Sequence, residues 1–246
     1  TKFSSTSVLD PLFRAIIYDR QGQKERAMEL YRQALSRAQD CYPASIGLAQ
    51  LYIGRKEYQA ALDIYADLSV RFPDQLLIKK ELAKIWFELR QWDRATSAIT
   101  EVLQRDPKDI TFLLLRATSL IEQGFAIQAQ PSLDAVATIE PGNARYLYLR
   151  ARVQAEGFRN SDSAINYLRA LLRQHPENLE ATSYLAKLLL ESGKAENMRE
   201  GRQLLGVLVE KEGSSIISIE LALKDAVMRQ DWLAAEKLVA RLLEQR

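Results

Sequence analysis

Small residues recur along this chain with a fixed period of 34 residues. Two alanine series, twelve residues apart, carry the period: Ala15, Ala49, Ala83, Ala117 and Ala151 form the first, and Ala27, Ala61, Ala95 and Ala129 form the second. Pro73, Pro107 and Pro141 keep the same spacing. A fixed period with two small residues per unit is typical of stacked helical hairpins, which bury their apolar faces only against neighbouring copies.

The residue types within each unit predict two amphipathic helices. Apolar positions recur at three- and four-residue spacing in two blocks of about a dozen residues. Antiparallel helices approach closely where one side chain is a methyl group, which accounts for an alanine at each crossing. The prolines end the second helices. The residues expected to cap the next helix are Asp109, Asn143 and Asn178. The residues expected in the tight turn within a hairpin are Gly22, Gly124 and Gly193.

The predicted fold is all-α, a right-handed α-solenoid or superhelix of about seven helical hairpins. Its units are placed at 8–41, 42–75, 76–109, 110–143, 144–178, 179–215 and 216–246, after a flexible leader at 1–7. Unit five has one extra residue, assigned to the loop Gly157–Ser161. Unit six is longer through Ser192–Arg199 and has Gly201 at an alanine position. Pro131 either bends the second helix of unit four or lies in the first turn of a late-starting helix.

Composition excludes several classes of function. The net charge is +2, so no strong field favours nucleic acid or a membrane surface. No apolar run reaches the roughly 18–20 residues that a membrane span needs. The single cysteine, Cys41, rules out an internal disulfide framework. The Ser/Thr-rich start without a methionine slightly favours an exported bacterial protein, periplasmic or envelope-associated, over a cytoplasmic one.

The sequence resembles the tetratricopeptide repeat family over nearly its whole length, and units two to four match best. Pentatricopeptide repeats are similar in length and bind single-stranded RNA. The strict spacing, the prolines at the unit ends and the absence of a basic bias favour the protein-binding family. The resemblance implies a protein-interaction scaffold whose partner, a peptide or protein, lies in a concave groove lined by the first helix of each unit.

By this resemblance, the groove has an apolar floor crossed by a basic and an acidic row. Lys84–Glu88, Arg152–Glu156 and Lys187–Glu191 are expected to form i,i+4 pairs. The predicted binding residues are Ile46, Gln50, Ile53, Lys80, Lys84, Phe87, Leu114, Thr118, Ile121, Tyr148, Arg152 and Lys187.

Two further expectations concern the kind of partner. Co-chaperone members of the family clamp a terminal carboxylate with asparagines, but those positions here are Gly47, Glu81, Leu115 and Leu149, so we expect no binding to chaperone tails. The alternative function is an assembly subunit that self-associates, or joins a larger cell-envelope complex, through uncapped ends. Leu233, Leu238 and Leu243 on the C-terminal helix would then form the exposed apolar face.

No catalytic constellation is present in the sequence, and we predict neither an enzyme nor a cofactor. The only histidine, His175, precedes Pro176 and is interpreted as a helix cap, and Cys41 as a packing residue between units one and two. No Cys/His spacing indicates a metal site, and no glycine-rich loop indicates phosphate binding. The possibility that a longer parent chain contains an enzyme elsewhere stays open.

Overall fold

The computed structural model describes residues 8–210 and 216–244, and these residues are helical without any β-strand. The predicted leader at 1–7 lies outside them. The first four hairpins contain α1 (Leu9–Arg20), α2 (Lys24–Arg37), α3 (Tyr42–Gly54), α4 (Tyr58–Arg71), α5 (Leu76–Glu88), α6 (Trp92–Arg105), α7 (Ile110–Glu122) and α8 (Gln130–Ile139). The last three contain α9 (Ala144–Arg152), α10 (Ser161–Gln174), α11 (Leu179–Glu191), α12 (Ala195–Glu210), α13 (Ile216–Met228) and α14 (Trp232–Glu244).

The helices belong to two compact units, one ending at Ser119 and one beginning at Leu120. In the first unit, consecutive helices from α1 to α6 pack on one another. In the second unit, α8 to α14 pack in the same consecutive manner. Contacts between sequence neighbours are what a repeat of helical hairpins requires, because each hairpin is stabilised by the adjacent copies.

The alanines lie at the helix crossings, as predicted. All nine members of the two series have 0% exposed surface. The large positions four residues after the second alanine are also buried, and Tyr65, Ile99, Leu133 and Leu168 are each 0% exposed. A methyl group therefore sets the distance between paired helices, and larger side chains fill the space beside it.

Predicted caps and turns are also confirmed. Asn143 accepts a hydrogen bond from the backbone N–H of Tyr146, and Asn178 accepts one from that of Ala181, at 3.0 and 2.9 Å. Asp109 caps α7 through the backbone N–H of Phe112 at 3.3 Å. The turn glycines Gly22, Gly124 and Gly193 have φ values of 77°, 83° and 70°. This left-handed conformation, which favours glycine, ends the first helix of each of these hairpins.

The extra residue of unit five lies within a helix, so its assignment to the loop was wrong. After α9 the chain forms a π turn at Val153–Gly157, in which the Phe158 N–H donates to the Val153 carbonyl at 3.1 Å. The Asn160 N–H then donates to the Gln154 carbonyl six residues earlier. In unit two the corresponding bond, from Glu57 to Tyr52, spans five. A π turn accommodates one added residue without interrupting the helix.

Two other irregularities have local explanations. In unit six the added residues extend α12, which is 16 residues long, at its N-terminal end. Gly201 is buried there, and a Cβ atom would lie 3.1 Å from the Ala186 carbonyl oxygen, so α11 and α12 approach each other closely at this point. Pro131 lies in the first turn of α8 after a 3₁₀ turn at Ala126–Ala129, which confirms the late helix start.

We predict that Ala83→Leu lowers the free energy of unfolding by about 1–3 kcal/mol, because the larger side chain must be accommodated in a filled helix crossing. Ala66→Leu is the matched control, since Ala66 is exposed on the neighbouring helix α4. It should change stability by less than about 0.5 kcal/mol. Urea unfolding followed by circular dichroism measures both, and equal stability of the two variants would contradict the assigned crossing.

Candidate functional site

The first compact unit contains a pocket between the first helices of three successive hairpins. Its volume is about 290 Å³, and α3, α5 and α7 supply most of its lining. We call it the first-helix pocket, and it is lined by Ile53, Tyr58, Glu81, Lys84, Ile85, Phe87, Glu88, Thr111 and Leu115. Three of the predicted binding residues, Ile53, Lys84 and Phe87, thus meet at one place. Phe87 is held edge-on against Trp92, with ring centres 5.3 Å apart.

Charged and hydroxyl groups surround the apolar part of this pocket. The Lys84 ammonium lies 2.9 Å from a Glu81 carboxylate oxygen, so its expected pairing with Glu88 was wrong. Glu88 instead accepts a hydrogen bond from the Tyr58 hydroxyl at 3.3 Å. Both carboxylates and the ammonium therefore lie beside Phe87. An apolar cavity with a few polar groups at fixed positions can bind a side chain and orient the segment that carries it.

Lys80, a predicted binding residue, is used within the fold. Its ammonium donates to Asp109 at 2.7 Å and to Asp106 at 3.1 Å, which joins α5 to the turn between α6 and α7. These hydrogen bonds raise the pKa of Lys80. Burial alone would raise the pKa of Asp109, but the bonds from Lys80 and from the Phe112 N–H outweigh burial and lower it.

In the second compact unit, Tyr148, Arg152 and Tyr184 form what we call the tyrosine cluster. The two tyrosine ring centres are 5.8 Å apart. Burial raises the pKa of both phenols, as do the carboxylates Glu180 beside Tyr148 and Glu156 beside Tyr184. Both hydroxyls are therefore neutral at pH 7. The Tyr184 hydroxyl donates to Glu156 at 3.1 Å.

Arg152 is the charged centre of the tyrosine cluster. Its guanidinium contacts Glu156 at 2.8 and 3.1 Å, which confirms that predicted pair, and it also contacts Glu122 at 2.5 Å. Burial lowers the pKa of Arg152, but these hydrogen bonds outweigh burial and raise it. Because the guanidinium is partly buried between two carboxylates, its removal would leave both of them without their cation. Arg152 is thus required for the local structure.

The remaining predicted residues differ in how accessible they are. Gln50 and Lys187 are exposed, and Ile46 and Leu114 are half-buried. Lys187 lies 5.9 Å from the Tyr184 ring centre, in place of the expected pairing with Glu191. Thr118 and Ile121 are only 6% and 3% exposed, and the Thr118 hydroxyl donates to the Leu114 carbonyl within α7. Thr118 and Ile121 are therefore too buried to contact a ligand.

Sequence reasoning did not select three residues that help to form these sites. Tyr58 belongs to a second helix, whereas the search was restricted to first helices. Glu81 was considered only as a position at which a clamp asparagine is missing. Tyr184 follows Tyr148 by 36 residues, so a period of exactly one unit did not connect them. With the one-residue insertion in unit five, the position equivalent to Tyr148 is Ser183, and Tyr184 is the next residue, so register did not select it.

Neither reactive side chain has catalytic partners in the described chain. His175 ends α10 as its C-terminal cap residue, as predicted, and its Nδ1 atom lies 3.7 Å from Glu177. Cys41 is half-buried against the buried apolar residues of α1, α2 and α3, which agrees with a packing role. The described residues contain no group of three or more His, Cys, Asp or Glu side chains able to hold a metal ion. None of their helices is long and apolar enough to cross a membrane.

Comparison with known proteins agrees with this architecture. Tetratricopeptide repeat models match residues 20–85 and residues 155–197. Both matched segments are therefore tetratricopeptide repeats. The matches lie in the first and the second compact unit respectively. No curated protein matches the chain.

Solved structures show the same fold at low sequence identity. A tetratricopeptide repeat protein from Parabacteroides merdae is 14% identical, with 96% of this chain and 92% of that chain covered and a TM-score of 0.81. YrrB, a tetratricopeptide repeat protein with an unusual peptide-binding site, is 18% identical over 72% of this chain and 91% of its own, with a TM-score of 0.64. MamA of AMB-1 is 13% identical over 69% and 92%, with a TM-score of 0.61. The predicted α-solenoid class is confirmed.

We predict that Lys80→Met lowers the free energy of unfolding at pH 7 by on the order of 1 kcal/mol, since both ion pairs are partly exposed. The lowered Asp109 pKa stabilises the fold above the unfolded value of about 4, and this contribution is lost as pH falls through the folded value. The difference from wild type should therefore shrink below about pH 4.

Urea titrations at both pH values test this, with Lys108→Met as the control because Lys108 is exposed in the same turn. A loss of stability that does not vary with pH would show that Lys80 acts through packing of its aliphatic stem.

Proposed function

We propose that this protein is a non-enzymatic scaffold that binds a peptide or protein segment on the surface formed by its first helices. The tetratricopeptide repeat fold is that of a protein-interaction scaffold, and the existence of a peptide-binding site in YrrB supports the same use of the fold here. The observation that carries the proposal is the first-helix pocket. Three residues predicted from the family resemblance and the sequence register, Ile53, Lys84 and Phe87, line the same cavity of about 290 Å³.

An apolar side chain of the partner would enter this pocket between Ile53 and Phe87. Burying a side chain of leucine size contributes about 1.5–3 kcal/mol, which suits an anchor within a longer contact. Lys84 and the two carboxylates Glu81 and Glu88 would fix the direction of the segment through hydrogen bonds to its backbone or polar side chains. A mixture of charges beside the pocket fixes the register of the bound segment more than it increases the affinity.

In the second compact unit, Tyr148 and Lys187 would provide an aromatic and a charged contact for the partner segment. Arg145 lies 5.4 Å from the Tyr148 ring centre and Lys187 lies 5.9 Å from that of Tyr184, so two cations border the paired rings. Tyrosine provides a large contact area with a polar tip, and it is enriched at interfaces for that reason. Arg152 would act indirectly here, because its donors already hold Glu122 and Glu156.

We predict that Phe87→Asp reduces binding of a pocket-directed peptide by at least about tenfold, since the anchor would meet a charge in an apolar cavity. Ligands can be selected from a library of 12-residue linear peptides displayed on phage, with affinities measured by fluorescence polarisation. Val70→Asp is the matched control: Val70 is 81% exposed on α4, and it does not line the pocket.

The charge of Lys84 is tested in the same assay, and Lys84→Glu should weaken the same peptides. Peptides that bind the wild type and all three variants equally would refute this site. Arg152→Glu is unsuitable for the test, because it would place a third carboxylate beside Glu122 and Glu156 and so disturb the fold itself.

One observation favours the alternative, an assembly subunit. On α14, Leu233 and Leu243 are 67% and 65% exposed, as expected, although Leu238 is half-buried. Large exposed apolar residues on one helix are typical of a contact surface. Sedimentation velocity over a range of concentrations tests this, with Leu233→Glu/Leu243→Glu as the variant. Association that is concentration-dependent in the wild type and absent in the variant would support self-assembly, and a monomer at all concentrations would contradict it.

A further inference from the structure

A second cleft lies in the second compact unit, among α12, α13 and α14. It has a volume of about 400 Å³ and takes its lining from the second helices of two hairpins and from the first helix between them. Leu205, Val209 and Leu238 provide large apolar side chains, and Ala226, which is 1% exposed, lies at its base. We call it the α12/α14 cleft. It contains none of the residues of the first-helix pocket or the tyrosine cluster.

A glycine inside a helix keeps this cleft open. Gly206 lies in the interior of α12, where glycine is less stable than alanine because of its greater backbone freedom. Two other helical glycines have a packing reason: a Cβ atom at Gly47 would overlap the Tyr31 ring, and one at Gly201 would crowd the Ala186 carbonyl. A Cβ atom at Gly206 would have no neighbour within 4 Å. Packing within the described chain does not require glycine there, and any larger residue would extend into the cleft.

The charged residues around the cleft are mostly basic. Asp225 is its only carboxylate, and it is already paired with Arg202 at 3.1 Å and with Arg229 at 2.8 Å. Lys237 and Arg241 also line the cleft, and no carboxylate of the described residues forms an ion pair with either of them. They are four residues apart on α14, so their like charges repel one another. The cleft therefore combines an apolar base with an excess of positive charge.

We propose that the α12/α14 cleft binds an acidic segment of a partner protein, with one apolar side chain over Ala226 and flanking carboxylates paired with Lys237 and Arg241. Charge complementarity selects this occupant, because no described carboxylate forms an ion pair with either cation, and both would bind carboxylates at the cleft edge. A symmetric contact with a second copy is disfavoured, since it would bring Lys237 and Arg241 of both copies together. This inference concerns a different surface from the proposed function and does not depend on it.

The test uses the full chain and the same library of 12-residue displayed peptides. Gly206→Leu fills the cleft with a side chain for which the backbone has room, so the variant should keep the thermal midpoint of the wild type or raise it. We expect a class of selected peptides with Asp or Glu flanking an apolar residue, whose affinity falls at least about tenfold in Gly206→Leu and in Lys237→Glu/Arg241→Glu. Lys224→Glu is the matched control, since Lys224 is exposed on α13 and does not line the cleft.

The possible results separate the two sites. Acidic peptides that lose affinity in Gly206→Leu but not in Phe87→Asp or Lys224→Glu would support the cleft. The proposal is overturned if no acidic class is selected, or if its affinity is unchanged in Gly206→Leu. It is also overturned if the wild type forms dimers that Gly206→Leu dissociates, because the occupant would then be a second copy of the chain.

Discussion

Close approach of paired helices at a methyl group is the contact on which the rest of this structure depends. Each fully buried alanine brings two helix backbones close together, and the large residues beside it, such as Tyr65 and Ile99, are fully buried. Because the contact recurs every 34 residues, successive first helices come to lie beside one another. The first-helix pocket exists because α3, α5 and α7 are brought together in this way. A larger residue at a crossing would therefore disturb both the hairpin and the surface that it presents.

The sequence predicted the helices well because their determinants are local, and it failed where several backbone solutions exist. Gly22 and Gly124 marked hairpin turns through a conformational requirement that glycine meets easily. Lys56 and Arg90 occupy the same left-handed conformation, with φ values of 62° and 55°, and their residue types gave no such signal. Likewise, alanine spacing located the extra residue of unit five between Ala151 and Ala164, but a loop and a π turn satisfy that spacing equally. The choice depends on hydrogen bonds such as Asn160 to Gln154, which sequence does not display.

The candidate site could be predicted only in part, because helical register gives the position of a residue but not its contacts. Register correctly placed Ile53, Lys84 and Phe87 on neighbouring first helices, and these line the pocket. It could not show which charges are already paired with residues elsewhere in the fold. Lys80 is held by Asp106 and Asp109, and Arg152 by Glu122, through contacts that join residues 26 to 30 positions apart. Helical register describes one helix at a time, so a side chain that contacts another part of the fold is indistinguishable in sequence from one that faces a ligand.

Glycine in these helices shows why a residue's surroundings, and not its type, decide its meaning. Gly47 and Gly201 sit where another helix or side chain leaves no room, so they belong to the same packing requirement as the alanines. Gly206 has open space beside it and lowers the stability of α12 without any gain in packing. Beside it, α14 carries Lys237 and Arg241 in a repulsive arrangement. An open space beside Gly206 and two like charges thus meet in one apolar cleft. A ligand of opposite charge would offset the repulsion between the cations and occupy the space that the glycine leaves open.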